Sequence, residues 1–273
     1  MIEGVSTPTD PNHGSLLDSP PLPPLDPVSG RTPAAVLRIA HRALELLGPD
    51  PDAACAAVRS AGAHLVEVDA RVTGDGALVV AHDPWVQIDG VRCWISDLPE
   101  QVVLAADRTV LPLASALAAI RRHDLGLYLD IKSIDPPSAH WLAGALVEAE
   151  LTEHSVLASS RSDAVALCAR AVPQVSRAVL FASDTEDPVQ LAAAVHAQFV
   201  HPCWERFDAP DQMLPDAWID RVRAQGLGIV TWHEERPEVL AALLARDVDG
   251  ICTDDMALLT ATARSMPPAG SAE

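Results

Sequence analysis

From residue 36 onward the chain alternates short runs dense in Val, Ile and Leu with longer Ala- and Leu-rich stretches. The short runs are VLRIAH (36–41), HLVEVD (64–69), ALVVAH (77–82), GLYLDIK (126–132), SVLAS (155–159), SRAVLFA (176–182), QFVHPCW (198–204), GIVTWH (228–233) and GICTD (250–254). Their length and β-branched content predict strands. Helices are predicted at 52–61, 112–123, 138–149, 161–171, 187–196, 215–225 and 236–246, many closing near Gly or Pro. A strand-then-helix repeat implies a parallel sheet with helices outside it. We therefore expect an α/β fold, a single-domain (β/α)8 TIM barrel over residues 34–262. Nine runs compete for eight places, and 77–82 is the awkward one because no helix clearly separates it from 64–69. The alternative, a doubly wound sheet, usually carries a Gly-rich phosphate turn after its first strand, where this chain has HRALELLG.

Residues 1–33 break the pattern: TPTDPNHGS and SPPLPPLDP are dense in Pro, Ser and Asp and have little to bury, so they are expected to form a disordered tail. Residues 263–273, ending MPPAGSAE, are expected to be a flexible C-terminal tail.

In a barrel the chemistry gathers at the carboxyl ends of the strands, and side chains alternate between the interior and the helix layer. With Val66 and Val68 facing the helices, Glu67 and Asp69 share the interior face of one strand end. With Leu127, Leu129 and Ile131 outward, Asp130 and Lys132 share another, and His41 and His82 finish two further runs. Three carboxylates at one mouth repel unless a cation sits among them, and oxygen ligands suit Mg²⁺ or Ca²⁺. Lys132 is the chain's one lysine against 18 arginines, so a compact ammonium at that position has either a phosphate to hold or an ion pair with Asp130 to make. Histidine exchanges protons near neutrality, so a pair flanking a metal-bound phosphate can act as base and acid. Of the ten histidines, His13, His64, His123, His140, His154 and His196 are read as structural or exposed. His201 and His233 lie on late strands and could reach the mouth, but nothing in their neighbours gives either a role.

The formal net charge of −19 argues against a nucleic-acid partner, since affinity for a polyanion rests on clustered basic residues. A small anionic substrate then needs locally supplied positive charge. The five scattered cysteines show neither zinc-site spacing nor a disulfide framework. The first basic residue is Arg31, and no run reaches the roughly 20 apolar residues of a membrane span, so no stable membrane insertion and a cytoplasmic location are expected.

The combination resembles the glycerophosphodiester phosphodiesterase family, carried by HRA at 41–43, GAHLVEVDARVTGDGALVVAHDP at 62–84, LPLASAL at 111–117, LDIK at 129–132 and TW at 231–232 before VDGICTD at 248–254. The resemblance implies a TIM barrel, a small-molecule phosphodiester substrate and cleavage to glycerol phosphate and an alcohol. It implies His41 and His82 as the acid/base pair, Glu67, Asp69 and Asp130 as metal ligands, Arg42 and Lys132 on phosphate, and Trp232 against the glycerol part. The chain departs from the family pattern at Ala43 for glycine, at Pro49-Asp50-Pro51 for Pro-Glu-Asn, at Asp130 for glutamate, and at His233-Glu234-Glu235 for Thr-Val-Asn. Those changes leave open a lyase that stops at a cyclic product on another head group, or a barrel that binds without turnover.

Overall fold

The structure, a computed structural model, describes residues 36–265. The segment 1–33 read as a tail lies outside the described residues, as does everything beyond Ser265. Eight strands run parallel: β1 (Leu37–Ala40), β2 (Leu65–Val72), β7 (Gly126–Ile131), β8 (Ser155–Ser159), β9 (Ser176–Phe181), β10 (Phe199–Pro202), β11 (Gly228–Thr231) and β12 (Gly250–Thr253). Each pairs with the next, and β1 pairs with both β12 and β2, which closes the ring into an eight-stranded barrel.

The run at 77–82 is not a barrel stave. Its core, β3 (Leu78–Val80), lies antiparallel to the far half of β2, with Ala70 opposite Val80, and is followed by the hairpin β4 (Trp85–Ile88) and β5 (Val91–Trp94). The short β6 (Leu111–Pro112) then pairs with β3. Residues 73–112 thus form an insertion at the carboxyl end of β2, with a small apolar core of its own that includes Val79, Val86, Ile95 and Val103.

Three surrounding helices begin on the same device. Asp50, Asp135 and Asp187 each precede a proline and accept hydrogen bonds from N–H groups of the first turn, which ties the helices starting at Pro51, Pro136 and Pro188 to their strands. The Pro49-Asp50-Pro51 departure is therefore a helix cap. Inside the ring, Ile39, Leu65, Tyr128, Val156, Phe199 and Val230 fill the barrel, while Val66, Val68, Leu127 and Leu129 pack outward under the helices. That alternation turns Glu67, Asp69 and Asp130 inward at the open end.

Candidate active site

Register sets the acidic cluster. Asp69 and Asp130 are partners across β2 and β7, and Ala40 is the partner of Val66, so His41, just beyond β1, comes level with Glu67. Glu67, Asp69 and Asp130 are all buried and each offers an oxygen within 4.8 Å of the others. Burial pushes the Glu67 carboxyl well above its ordinary value, and the Asp69 and Asp130 charges push it further, against the opposing Arg42 N–H and Lys132. Asp130 is raised to about 6 by burial, with Lys132 pulling it down and Asp69 pushing it up.

The ammonium of Lys132 bridges the cluster: it donates to Asp130 Oδ2 and lies 2.9 Å from Asp69 Oδ1. Burial alone would lower its pKa, but the Asp130 and Asp69 charges outweigh that and raise it. Arg42 contributes twice. Its backbone sits in the left-handed region at φ 44°, a conformation costing a non-glycine residue about 1 kcal/mol or more, and the N–H donates to Glu67 Oε2 at 2.9 Å. Its Nε lies 3.6 Å from Asp69 Oδ2. Glu67 Oε1 is buried without a hydrogen-bond partner, an expensive arrangement unless a cation takes it up. An all-oxygen, three-carboxylate set with an orphaned oxygen fits a hard divalent ion.

His41 is buried and held on both nitrogens. The Trp232 indole N–H, which can only donate, points at Nε2 from 2.9 Å, while Nδ1 lies 2.6 Å from Asp254 Oδ1. Nδ1 therefore carries the proton and donates to Asp254, and Nε2 carries the lone pair, 3.9 Å from Glu67 Oε2. Burial lowers the His41 pKa despite the opposing Asp254 carboxylate. His233 stacks on it with ring centroids 4.6 Å apart. His233 is itself raised by Glu235, whose carboxylate lies 2.8 Å from its Nδ1. Trp232 also faces Lys132, the ammonium lying 5.4 Å from its ring.

His82 follows β3 on the insertion. It is half-buried, contacts Asp83 at 3.0 Å, and is lowered first by burial and then by the Arg42 charge. Arg71 donates to its carbonyl, fixing the turn. Arg42 and His82 line one cavity of about 360 Å³ together with Glu45, Asp83, Trp85 and Asp107. The structure thus joins His41, Arg42, Glu67, Asp69, Asp130, Lys132 and Trp232 by direct contacts, and His82 meets the set across that cavity.

Sequence reasoning passed over Asp254 and Glu45, and gave His233 no role although it placed it within reach of the mouth. Asp254 stands at the carboxyl end of the eighth strand in VDGICTD, so the rule that selected Asp130 could have selected it too. His201 stays inside the barrel, 2.5 Å from the Tyr128 hydroxyl, and burial lowers it to about 3. His64 and His123 pair with Arg38 and Asp52, outside this set.

Among the described residues no helix is long and apolar enough to cross a membrane. The model of the glycerophosphoryl diester phosphodiesterase family matches residues 41–258. A glycerophosphodiester phosphodiesterase of Caldanaerobacter subterraneus subsp. tengcongensis is 23% identical over 209 residues, covering 71% of this chain and 83% of that protein. The crystal structure of a glycerophosphodiester phosphodiesterase from Agrobacterium tumefaciens superposes with a TM-score of 0.68 at 21% identity, covering 83% of this chain and 99% of the other. An Oleispira antarctica phosphodiesterase, solved in complex with the product sn-glycerol-3-phosphate, gives 0.66 at 16% identity over 84% of this chain and 96% of the other. The barrel, the acidic mouth and the match over four-fifths of its length together identify the chain as a phosphoric diester hydrolase belonging to the glycerophosphoryl diester phosphodiesterase family.

Proposed function

We propose that the chain cleaves small glycerophosphodiesters to sn-glycerol 3-phosphate and an alcohol, using a Mg²⁺ or Ca²⁺ ion held by Glu67, Asp69 and Asp130 and two histidines, His41 and His82. The observation that carries this reading is the convergence of the three buried carboxylates, the Lys132 ammonium and the His41 lone pair on one strand-end cluster. The bound ion would supply a Lewis acid for the phosphate oxygens. Arg42 and Lys132 contact the phosphate and offset the charge that develops on it, a role often worth several kcal/mol per placed group.

His41 serves as base: its proton is tied to Asp254 at Nδ1, so Nε2 accepts the proton of the attacking oxygen once the Trp232 N–H yields. The imidazolium formed is stabilised by the Asp254 carboxylate. His82, which lines the same cavity as Arg42, takes the part of the acid that protonates the departing alkoxide. Trp232 packs against the glycerol part.

The test is a pair of variants assayed on two leaving groups. Removing a positioned acid or base costs about 10²- to 10⁴-fold. His41→Ala and His82→Ala should each lose at least about 10²-fold on a natural diester with unchanged melting profiles. His82→Ala alone should recover on a nitrophenyl ester, whose leaving group needs no proton. Near-normal rates for both variants on the natural diester would refute the two-histidine mechanism.

A further inference from the structure

Three neighbouring staves, β1, β12 and β11, carry His41, Asp254 and His233 just beyond their carboxyl ends. Each of the three offers a nitrogen or an oxygen within 4.8 Å of the others. Asp254 Oδ1 lies 2.6 Å from His41 Nδ1, and its Oδ2 lies 3.9 Å from His233 Nδ1. Glu235 stands beside them. Its Oε1 accepts from the Asp254 N–H at 3.0 Å, which fixes the carboxylate, and its Oε2 lies 2.8 Å from His233 Nδ1. That last approach is an ion-pair contact without hydrogen-bond geometry, so the buried Nδ1 remains available to a stronger partner. Glu234 stays apart, its carboxylate held by Arg236 at 2.6 Å on both oxygens.

This donor set differs in kind from the cluster of Glu67, Asp69 and Asp130. Carboxylate oxygens alone suit Mg²⁺ or Ca²⁺, whereas two imidazoles with carboxylates suit a borderline-soft ion such as Zn²⁺. Ligands about 2 Å from a tetrahedral ion stand about 3.3 Å from one another, so a set now within 4.8 Å closes by about 1.5 Å. The two rings lie nearly parallel, 17° apart, and His233, the more exposed of the two, turns to aim its Nδ1 at the ion. His233 and Glu235 are both departures from the family pattern, which makes the set a feature of this chain.

We infer that His41, His233 and Asp254, with Glu235, form a second metal site that takes Zn²⁺ and, when filled, silences His41. An ion on His41 Nδ1 needs the tautomer with hydrogen on Nε2, so the displaced proton moves to Nε2 and any proton on His233 leaves to solvent. Nε2 then has no lone pair to accept a proton, and its hydrogen opposes the Trp232 N–H that lies 2.9 Å away. Binding of the ion stands on the donor set alone, whereas the loss of turnover rests on the proposed role of His41 as base.

The experiment titrates Zn²⁺ into the untagged full chain held in excess Mg²⁺, using isothermal titration calorimetry. Turnover of sn-glycero-3-phosphocholine is followed in the same buffer for wild type, His233→Thr and Glu235→Asn. Losing a ligand costs at least what losing an outer partner does, about 10- to 100-fold in affinity. Wild type should bind one Zn²⁺ per chain and lose turnover as the site fills. Each variant should bind at least about tenfold more weakly and lose turnover only at correspondingly higher Zn²⁺. No saturable binding in wild type, equal affinity in wild type and both variants, or a filled site that leaves wild-type turnover intact would overturn the inference. If the diester is not cleaved even without Zn²⁺, the functional reading fails, and the calorimetry alone decides whether the site exists.

Discussion

Replacing Asp254 with Asn probes how His41 is prepared. Asp254 Oδ1 lies 2.6 Å from His41 Nδ1, and its side chain is 36% exposed. When His41 takes up a proton the pair becomes ionic. Charges about 4 Å apart interact by about 4 kcal/mol at an effective dielectric of ~20, and partial exposure cuts this to about 2. Asn also lets an amide N–H face Nδ1, which favours the tautomer with hydrogen on Nε2; that hydrogen would oppose the Trp232 N–H now 2.9 Å away. The expected loss in kcat is about 30- to 1,000-fold, with a near-normal melting temperature. The assay is release of glycerol phosphate under substrate saturation, with circular dichroism melting as the control. A kcat within threefold of wild type would refute the assignment of Nε2 as the accepting nitrogen.

Gly126 opens β7 with an ideal Cβ position 2.6 Å from the His154 carbonyl oxygen, so Gly126→Ala should destabilise by about 1–3 kcal/mol, read as a melting temperature lower by several degrees. An unchanged melting temperature would mean that the strand shifts freely. His64 is lowered to about 3, first by burial and then by the Arg38 charge. The unfolded chain, with an ordinary histidine pKa near 6.5, binds the extra proton first, so stability is present above about pH 6.5 and falls as the pH drops towards 3, by about 1.4 kcal/mol per unit. Urea titrations at pH 7 and pH 5 should therefore show a smaller loss for His64→Phe than for wild type, and equal losses would contradict the burial argument.

The eight barrel strands were legible because each is a short apolar run bounded by turns, and the observed strands lie within or within a few residues of the predicted ones. The acidic cluster was legible for a related reason: alternate residues share a face, so Glu67 and Asp69 could be placed together from spacing alone. The insertion was harder to read. Its strands are two to four residues long, and its apolar positions serve a separate small core, so the pattern at 77–82 showed a strand without showing that it pairs antiparallel to β2 beside the ring. The strand-end rule reaches Asp254, but its pairing with His41, and the stacking of His233 on that ring, depend on β12 closing on β1, contacts between residues more than 190 positions apart in sequence. Glu45 was hidden by its short helix, Ala43–Leu46, which reads as an ordinary apolar turn.

The central claim is that the Glu67, Asp69 and Asp130 cluster works with a divalent ion in hydrolysis of a glycerophosphodiester. Phosphorus NMR of sn-glycero-3-phosphocholine with the full chain in Mg²⁺, in Ca²⁺ and in excess chelator tests it most directly. The account predicts sn-glycerol 3-phosphate as the final product with at least one of the ions, and loss of turnover in chelator that is reversed by adding the ion back. Undiminished turnover in chelator, or no turnover with either ion, would contradict it.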